Sequence, residues 1–283
     1  TKNNTGKPGF GEINTTYGAI PPYTQLADAS GHALPVYTIY DKSYIDTVGG
    51  GRLLDWRYYP LSDYKSIQNT TTAQDLNAEI GLNYQILPSL SLNVMYRYEN
   101  QQSENRVLYS TQSYFARDLI NNYAQIEPGT GAINYIIPNN PILDLAYTKI
   151  AAQNLRGQLN FNKSWNKMDL AVLAGSEISQ TTRQQNNYRT YGYVGDVLTF
   201  TNVDYVNIYP LNTGGGGFVP NPQSFSNINT RFVSFFANGA FTYYEKDTFS
   251  VSGRRDASNI FGFNTNDKWK PLWSAGFSWD INK

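Results

Sequence analysis

Gln74-Asp-Leu-Asn-Ala-Glu-Ile-Gly-Leu-Asn-Tyr-Gln-Ile86 decides the fold class. Its even positions read Leu76, Ala78, Ile80, Leu82, Tyr84 and Ile86, while its odd positions read Asp75, Asn77, Glu79, Gly81, Asn83 and Gln85. Side chains alternate across a strand, so this segment has one apolar and one polar face. Pro88 breaks the run, because proline cannot donate to a ladder. The pattern then restarts with Leu90, Leu92, Val94, Tyr96 and Tyr98, against Ser91, Asn93, Arg97 and Glu99. That is a hairpin.

The unit recurs. Leu155, Gly157, Leu159 and Phe161 lead through a turn at Trp165-Asn166-Lys167 into Met168, Leu170, Val172 and Ala174. Val233, Phe235, Ala237, Gly239, Phe241 and Tyr243 lead through Glu245-Lys246-Asp247 into Phe249, Val251 and Gly253. A seventh strand carries Trp273, Ala275, Phe277, Trp279 and Ile281. Helical periodicity is almost absent.

The connections carry as much information. Short turns alternate with two long polar segments, 101–152 and 179–229, rich in Asn, Gln, Tyr, Gly and Pro. Alternation of short turns with long loops is the pattern of a membrane β-barrel. Strands of about ten tilted residues cross the hydrocarbon layer. Aromatics near strand ends, among them Trp165, Tyr243 and Tyr244, suit the headgroup level. A soluble sandwich explains one alternating strand equally well; strand length and loop asymmetry favour a barrel. The expected fold is all-β: a partial antiparallel transmembrane β-barrel of about seven strands with long extracellular loops. Residues 1–73 are expected to form loop and barrel rim, and 74–283 the barrel strands. The final alternating run, which stops at Lys283, reads as part of something larger. Seven strands leave two unpaired edges, so this stretch is expected not to fold alone.

Composition narrows the chemistry. The chain has 283 residues, 22 Lys plus Arg against 22 Asp plus Glu, and no cysteine. Zero net charge argues against nucleic acid. Thiolate zinc sites, disulfides and cysteine nucleophiles are excluded. Mean hydropathy is −0.48, and no stretch approaches the about 18 apolar residues of a membrane helix. The single histidine, His32, sits in a turn-like stretch and reads as a solvated loop residue. Asp75 and Glu79 share a strand face, as in a wet wall, rather than forming a catalytic dyad. No serine stands in a G-x-S-x-G context. Gly214–Gly217 lacks the Lys-Ser/Thr of a phosphate loop and reads as a flexible tip, as does Gly49–Gly51. Asn264, Asn266 and Asp267, or Asp28 and Ser30, supply oxygen atoms without the spacing of a calcium loop. No enzyme, cofactor or metal is expected. Aromatic rings mixed with amides and charges suit glycan contact. The candidates are Tyr109, Tyr114, Arg117 and Asn121 in one long segment, and Tyr188, Arg189, Tyr191 and Asp196 in the other.

Several segments resemble SusC/RagA-type TonB-linked outer-membrane proteins. Arg254 or Arg255 with Asp256, Ser258, Phe261 and Gly262 fit one family pattern, and Pro271, Ser274, Gly276 and Trp279 the next. Pro22-Tyr23 through Gly31, Leu54-Asp55-Trp56 through Pro60-Leu61, Leu173 to Glu177 with Gly175, and Arg231 to Phe236 follow the family in order. Asp55, Trp56, Pro60, Gly175, Glu177, Arg231, Arg255, Asp256, Phe261, Gly262 and Trp279 are expected to be structural, pinning loop bases to the rim. The family's plug domain, TonB box and carboxy-terminal strand have no counterpart in this stretch. The resemblance implies TonB-dependent import of oligosaccharides or peptides across the bacterial outer membrane. It also implies a SusD-like surface lipoprotein as lid, TonB acting through a plug, and lipid around the barrel. The alternatives are a soluble or surface all-β carbohydrate-binding module and a TonB-dependent barrel for a metal chelate.

Overall fold

The computed structural model describes residues 2–5, 14–15, 18–19, 23–37, 39–260 and 269–281. Pro22, Phe261, Gly262, Asn264, Asn266 and Asp267, named above, lie outside the described residues.

In chain order the first elements are β1 (Lys2–Thr5), β2 (Asn14–Thr15), β3 (Gly18–Ala19) and the short helix α1 (Lys42–Thr47). Then come β4 (Ile67–Leu87), β5 (Leu90–Tyr109), helix α2 (Tyr114–Tyr123), β6 (Ala124–Ile126) and β7 (Ile133–Tyr135). The remainder is β8 (Ile142–Trp165), β9 (Met168–Thr190), β10 (Ile208–Pro210), β11 (Gly216–Phe218), β12 (Ser224–Tyr243), β13 (Asp247–Ser258) and β14 (Lys270–Trp279). One sheet takes the order β1-β4-β5-β8-β9-β12-β13-β14. All seven expected strands are present, and the all-β class holds. The added strand is β1, which pairs with Asn69–Thr72 of β4.

The turns form where the sequence places them, although Tyr and Glu are unusual residues at positive φ. Asn166 takes φ 55°, and Tyr244 and Glu245 take φ 50° and 56°. Left-handed conformations at both central residues give a hairpin turn whose twist matches the strands. Register follows: Tyr243 faces Asp247, Phe241 faces Phe249, and Phe249 faces Phe277.

The strands run further than alternation shows. Segment 101–152 is strand up to Tyr109 and again from Ile142, and segment 179–229 is strand up to Thr190 and again from Ser224. Between them lie folded pieces rather than open loop: α2, and the hairpins β6–β7 and β10–β11. Gly214–Gly217, expected to be a flexible tip, is the turn and first strand residues of β10–β11, with φ 97° and 73° at Gly214 and Gly215. Gly49–Gly51 lies in a kinked 3-10 stretch, Val48–Gly51, with left-handed φ of 67° and 58° at Gly49 and Gly50.

The chain divides into two units. The first comprises residues 1–73, 103–147 and 186–225; the second comprises 74–102, 148–185 and 226–283. The first unit has a conventional core of Ala116, Ile120, Tyr123, Ile137, Ile142, Tyr191 and Val219. Every buried hydrophobic side chain among the described residues belongs to it. Among the described residues the second unit is strand and turn, with no such core.

Candidate functional site

In the second unit the two faces of the sheet divide by chemistry. Leu76, Ile80, Leu82, Tyr84, Phe235, Phe249, Val251, Trp273 and Phe277 all point to one side and are open, Ile80 at 72% and Trp273 at 80%. A soluble sandwich would cover this face with a second sheet. Among the described residues nothing covers it. From Leu76 to Ile86 the apolar face extends about 33 Å, at about 3.3 Å per residue. Tilted by about 40°, that strand spans about 25 Å, the height of the apolar band of an outer-membrane barrel. Tyr84, Trp165, Tyr243, Tyr244 and Trp279 ring its turn end. The ammonium of Lys167 sits 3.9 Å above the Tyr244 ring.

The opposite face is a hydrogen-bonded polar wall. Arg97 grips Glu79 through Nε and Nη2, at 2.9 and 2.7 Å. Asn154 donates to Glu177 at 2.7 Å, and Arg156 to Gln158 at 3.0 Å. Gln158 continues to Asn160 at 2.5 Å, Ser252 meets Ser274 at 2.7 Å, and Arg254 meets Asp256 at 2.8 Å. A depression of about 450 Å³ opens on this wall among Met95, Arg97, Glu99, Asn154, Arg156 and Glu177. The wall is a surface that water or a polar solute can wet. Glu79 therefore has an ion-pair role. Gly175 shows why its position needs glycine: a Cβ there would lie 2.6 Å from the Phe236 ring and 2.5 Å from the Gly157 carbonyl oxygen. Phe236 crosses that gap and carries the Arg156 guanidinium on its ring, 4.9 Å from the centroid.

In the first unit, α2 organises the site. Ser113 caps it, its hydroxyl accepting from the Ala116 N–H at 3.3 Å. Ala116, Ile120 and Tyr123 enter the core at helical spacing. Asn121 accepts from the Leu54 N–H and donates to the Leu54 carbonyl, both at 2.9 Å. One side-chain amide thus substitutes for a strand partner. Trp56 Nε1 donates to Asp118 at 2.7 Å, and the Tyr40 hydroxyl donates to the same oxygen at 3.3 Å. Burial pushes the Asp118 carboxyl above its ordinary value, against the pull of those two donors. Burial likewise raises Asp63, which accepts from the Tyr114 N–H at 2.5 Å. Asp204 is the opposite case: donors from Val206, Asn207 and Tyr209 hold it down at about 2.

The loop residues expected to meet cargo fall into two groups. Arg117, Asn121 and Tyr191 are buried. Arg117 donates to the Asp55 carbonyl, and the Tyr191 hydroxyl to the Pro220 carbonyl at 2.7 Å, so their polar groups are engaged internally. Tyr191 is pushed up to about 12 by that burial. Arg189 forms a two-pronged pair with Asp144 at 2.7 and 2.6 Å and lies over Phe115. Tyr109 packs on Phe115 at 4.3 Å, and Tyr114 on Tyr58 at 5.0 Å. Tyr188 lies between Tyr147 and Phe225, at 6.3 and 5.8 Å. Asp196 is exposed.

Among the family-motif positions, Trp56 and Pro60 are buried and Asp55 is exposed, its carboxylate accepting from the Arg57 N–H at 3.1 Å. The Arg231 backbone is held by Asn259 and Ser258 at 2.7 and 2.9 Å. Asp256 pairs with Arg254, while Arg255 points to the other face; neighbouring residues of a strand cannot share one. Trp279 stands open on the apolar face. His32 is exposed and turns back on Asp28, which accepts from the Ser30 and His32 N–H groups at 2.8 and 2.9 Å. No group of three His, Cys, Asp or Glu side chains suited to a metal ion occurs among the described residues. Helix α2 went unread, although Ser113 followed by Ala116, Leu119, Ile120 and Tyr123 carries the cap and the spacing of a helix.

No protein-family model matches the chain, and no curated protein matches it. Solved structures do. The chain is similar to a chain of the RagAB peptide transporter, with a TM-score of 0.63 and 15% identity over 93% of its own length. Against the RagAB peptide importer in its closed-closed state the TM-score is 0.62, with 16% identity over 98%. The matched region spans about a quarter of those chains, 24% and 26%. At this identity the likeness shows the fold: a section of the all-β architecture of these transport proteins.

Proposed function

We propose that this chain is part of the wall and outer loops of a SusC-like, TonB-dependent outer-membrane importer. The observation that carries the reading is the uncovered apolar face of the sheet, backed by a hydrogen-bonded polar face. In lipid the first face is solvated by acyl chains and the second lines a wet interior. Residues 74–283 then supply barrel strands, and residues 1–73 with the long connections supply the extracellular part. The cargo is a short peptide or an oligosaccharide; the RagAB names support peptide. A SusD-like lipoprotein covers the loop end, and TonB drives a plug. Tyr188 and Asp196 remain the loop candidates for cargo contact, and no covalent chemistry is involved.

The test is fractionation of the full-length protein from its source cell, followed by uptake of labelled peptide and oligosaccharide with and without the gene. Outer-membrane recovery, heat-dependent gel mobility and gene-dependent uptake are expected. Recovery as a detergent-free soluble protein would refute the reading.

A further inference from the structure

Arg255 is a cation on the wrong face. In register it stands opposite Phe235 and Pro271, on the apolar side of the sheet. The neighbouring outward residues Val251, Phe235 and Trp273 are all open. The adjacent carboxylate, Asp256, belongs to the other face and is taken by Arg254 at 2.8 Å. Among the described residues Arg255 has no carboxylate partner. What it has is an aromatic platform. Its guanidinium carbon lies 5.3 Å from the centroid of Trp269, and Trp269 stacks on Phe235 at 6.0 Å with 21° between the rings.

The height of this platform identifies its ligand. From the turn at Asp247 to Arg255 the strand rises about 26 Å at about 3.3 Å per residue, or about 20 Å along the normal at a barrel's tilt. That is close to the far edge of an apolar band about 25 Å tall. A long side chain there extends its charge into the headgroup layer while its stem stays in the apolar zone. The fork of a guanidinium matches a phosphate with two parallel hydrogen bonds, and a stacked guanidinium is already oriented for it.

Resting on the outer-membrane reading, we infer that Arg255, held by Trp269 and Phe235, docks a phosphate of a lipid headgroup in the leaflet at the loop end. The partner is a phosphorylated lipid, bound from the membrane side and independent of any cargo in the lumen.

The experiment uses the full-length protein in detergent, titrated with lipid A carrying its phosphates and with the dephosphorylated lipid, and read by native mass spectrometry. Arg255→Gln is expected to weaken binding of the phosphorylated lipid roughly tenfold or more, the scale of one lost charge-assisted contact. Affinity for the dephosphorylated lipid stays unchanged. Arg255→Lys falls between, since it keeps the charge and loses the fork. Trp269→Leu, which leaves the cation and removes its platform, weakens binding several-fold. Heat-dependent gel mobility reports that each variant is folded. Equal affinity of the wild type for both lipids, or an unchanged affinity in folded Arg255→Gln, overturns the headgroup site and leaves the importer reading standing. Recovery of the wild type outside the membrane overturns both.

Discussion

A single lysine, moved along β4, tests the apolar face directly. Ile80 lies near the middle of the outward series from Leu76 to Ile86 and is 72% open. If lipid solvates it, Ile80→Lys places a charge near the bilayer midplane, at a cost of about 2–4 kcal/mol. That shifts the folding equilibrium roughly 30- to 700-fold. The cost falls to about 0–1 kcal/mol towards the interfaces, so Leu76→Lys and Ile86→Lys are expected to be mild. Asn83→Lys, on the polar face, is the control and should be close to neutral. The assay is reversible urea unfolding of the full-length protein from lipid vesicles, followed by the gel mobility of folded and unfolded forms. The informative quantity is the shape of the profile: a peak at Ile80 flanked by small values. A flat profile, or a stabilising Ile80→Lys, would mean that water meets this face and would refute the argument from burial and height.

Three further outcomes follow from the geometry. Asn121→Leu strands the Leu54 N–H and carbonyl in a buried site; at about 1–3 kcal/mol for each unsatisfied group, hydrogen exchange should rise sharply across α2. Asp118 has a raised pKa, so the folded state holds its proton at pH values where the unfolded carboxyl, at 3.8, has lost it. Its contribution to stability is greatest at or below pH 3.8 and is lost as pH rises through the raised value. Asp118→Asn keeps an oxygen for Trp56 and Tyr40, and proteolytic resistance of the first unit should become less dependent on pH above 3.8 and hold at neutrality. Gly175→Ala forces the Phe236 ring and the Gly157 carbonyl apart; about 1–3 kcal/mol of overpacking is expected, read as a lower urea midpoint.

The strands were legible where one face of the sheet is apolar and the other polar. That condition writes period two into Leu76–Ile86 and Phe235–Tyr243. It stops applying towards the ends of β5 and β9, which continue to Tyr109 and Thr190 with both faces in polar or mixed surroundings. There Gln102, Ser103, Gln184 and Gln185 satisfy the ladder as well as any other residue would, and alternation vanishes although the hydrogen bonds persist. Binary pattern records the solvent of a strand, not its existence.

The first unit failed to show itself for a different reason. Its core residues are few and scattered: Leu54, Ile120, Ile137, Tyr191 and Val219 meet only through tertiary folding. Tyrosine and asparagine dominate the text between them, and that composition reads equally as a binding loop or as packed structure. Burial resolves the ambiguity residue by residue. Asn121 looks like a ligand contact in sequence and is a backbone surrogate for Leu54 in structure; Tyr191 looks like a sugar platform and donates inward to Pro220. Asp196 and Tyr188 carry the same vocabulary and keep surface. An aromatic or amide in such a segment therefore becomes a cargo candidate only after its own hydrogen bonds have been counted. By the same count Arg156 and Glu177 on the polar wall are already engaged, with Gln158 and Asn154, and what they offer a solute is the remaining bonding capacity of groups that line an open depression.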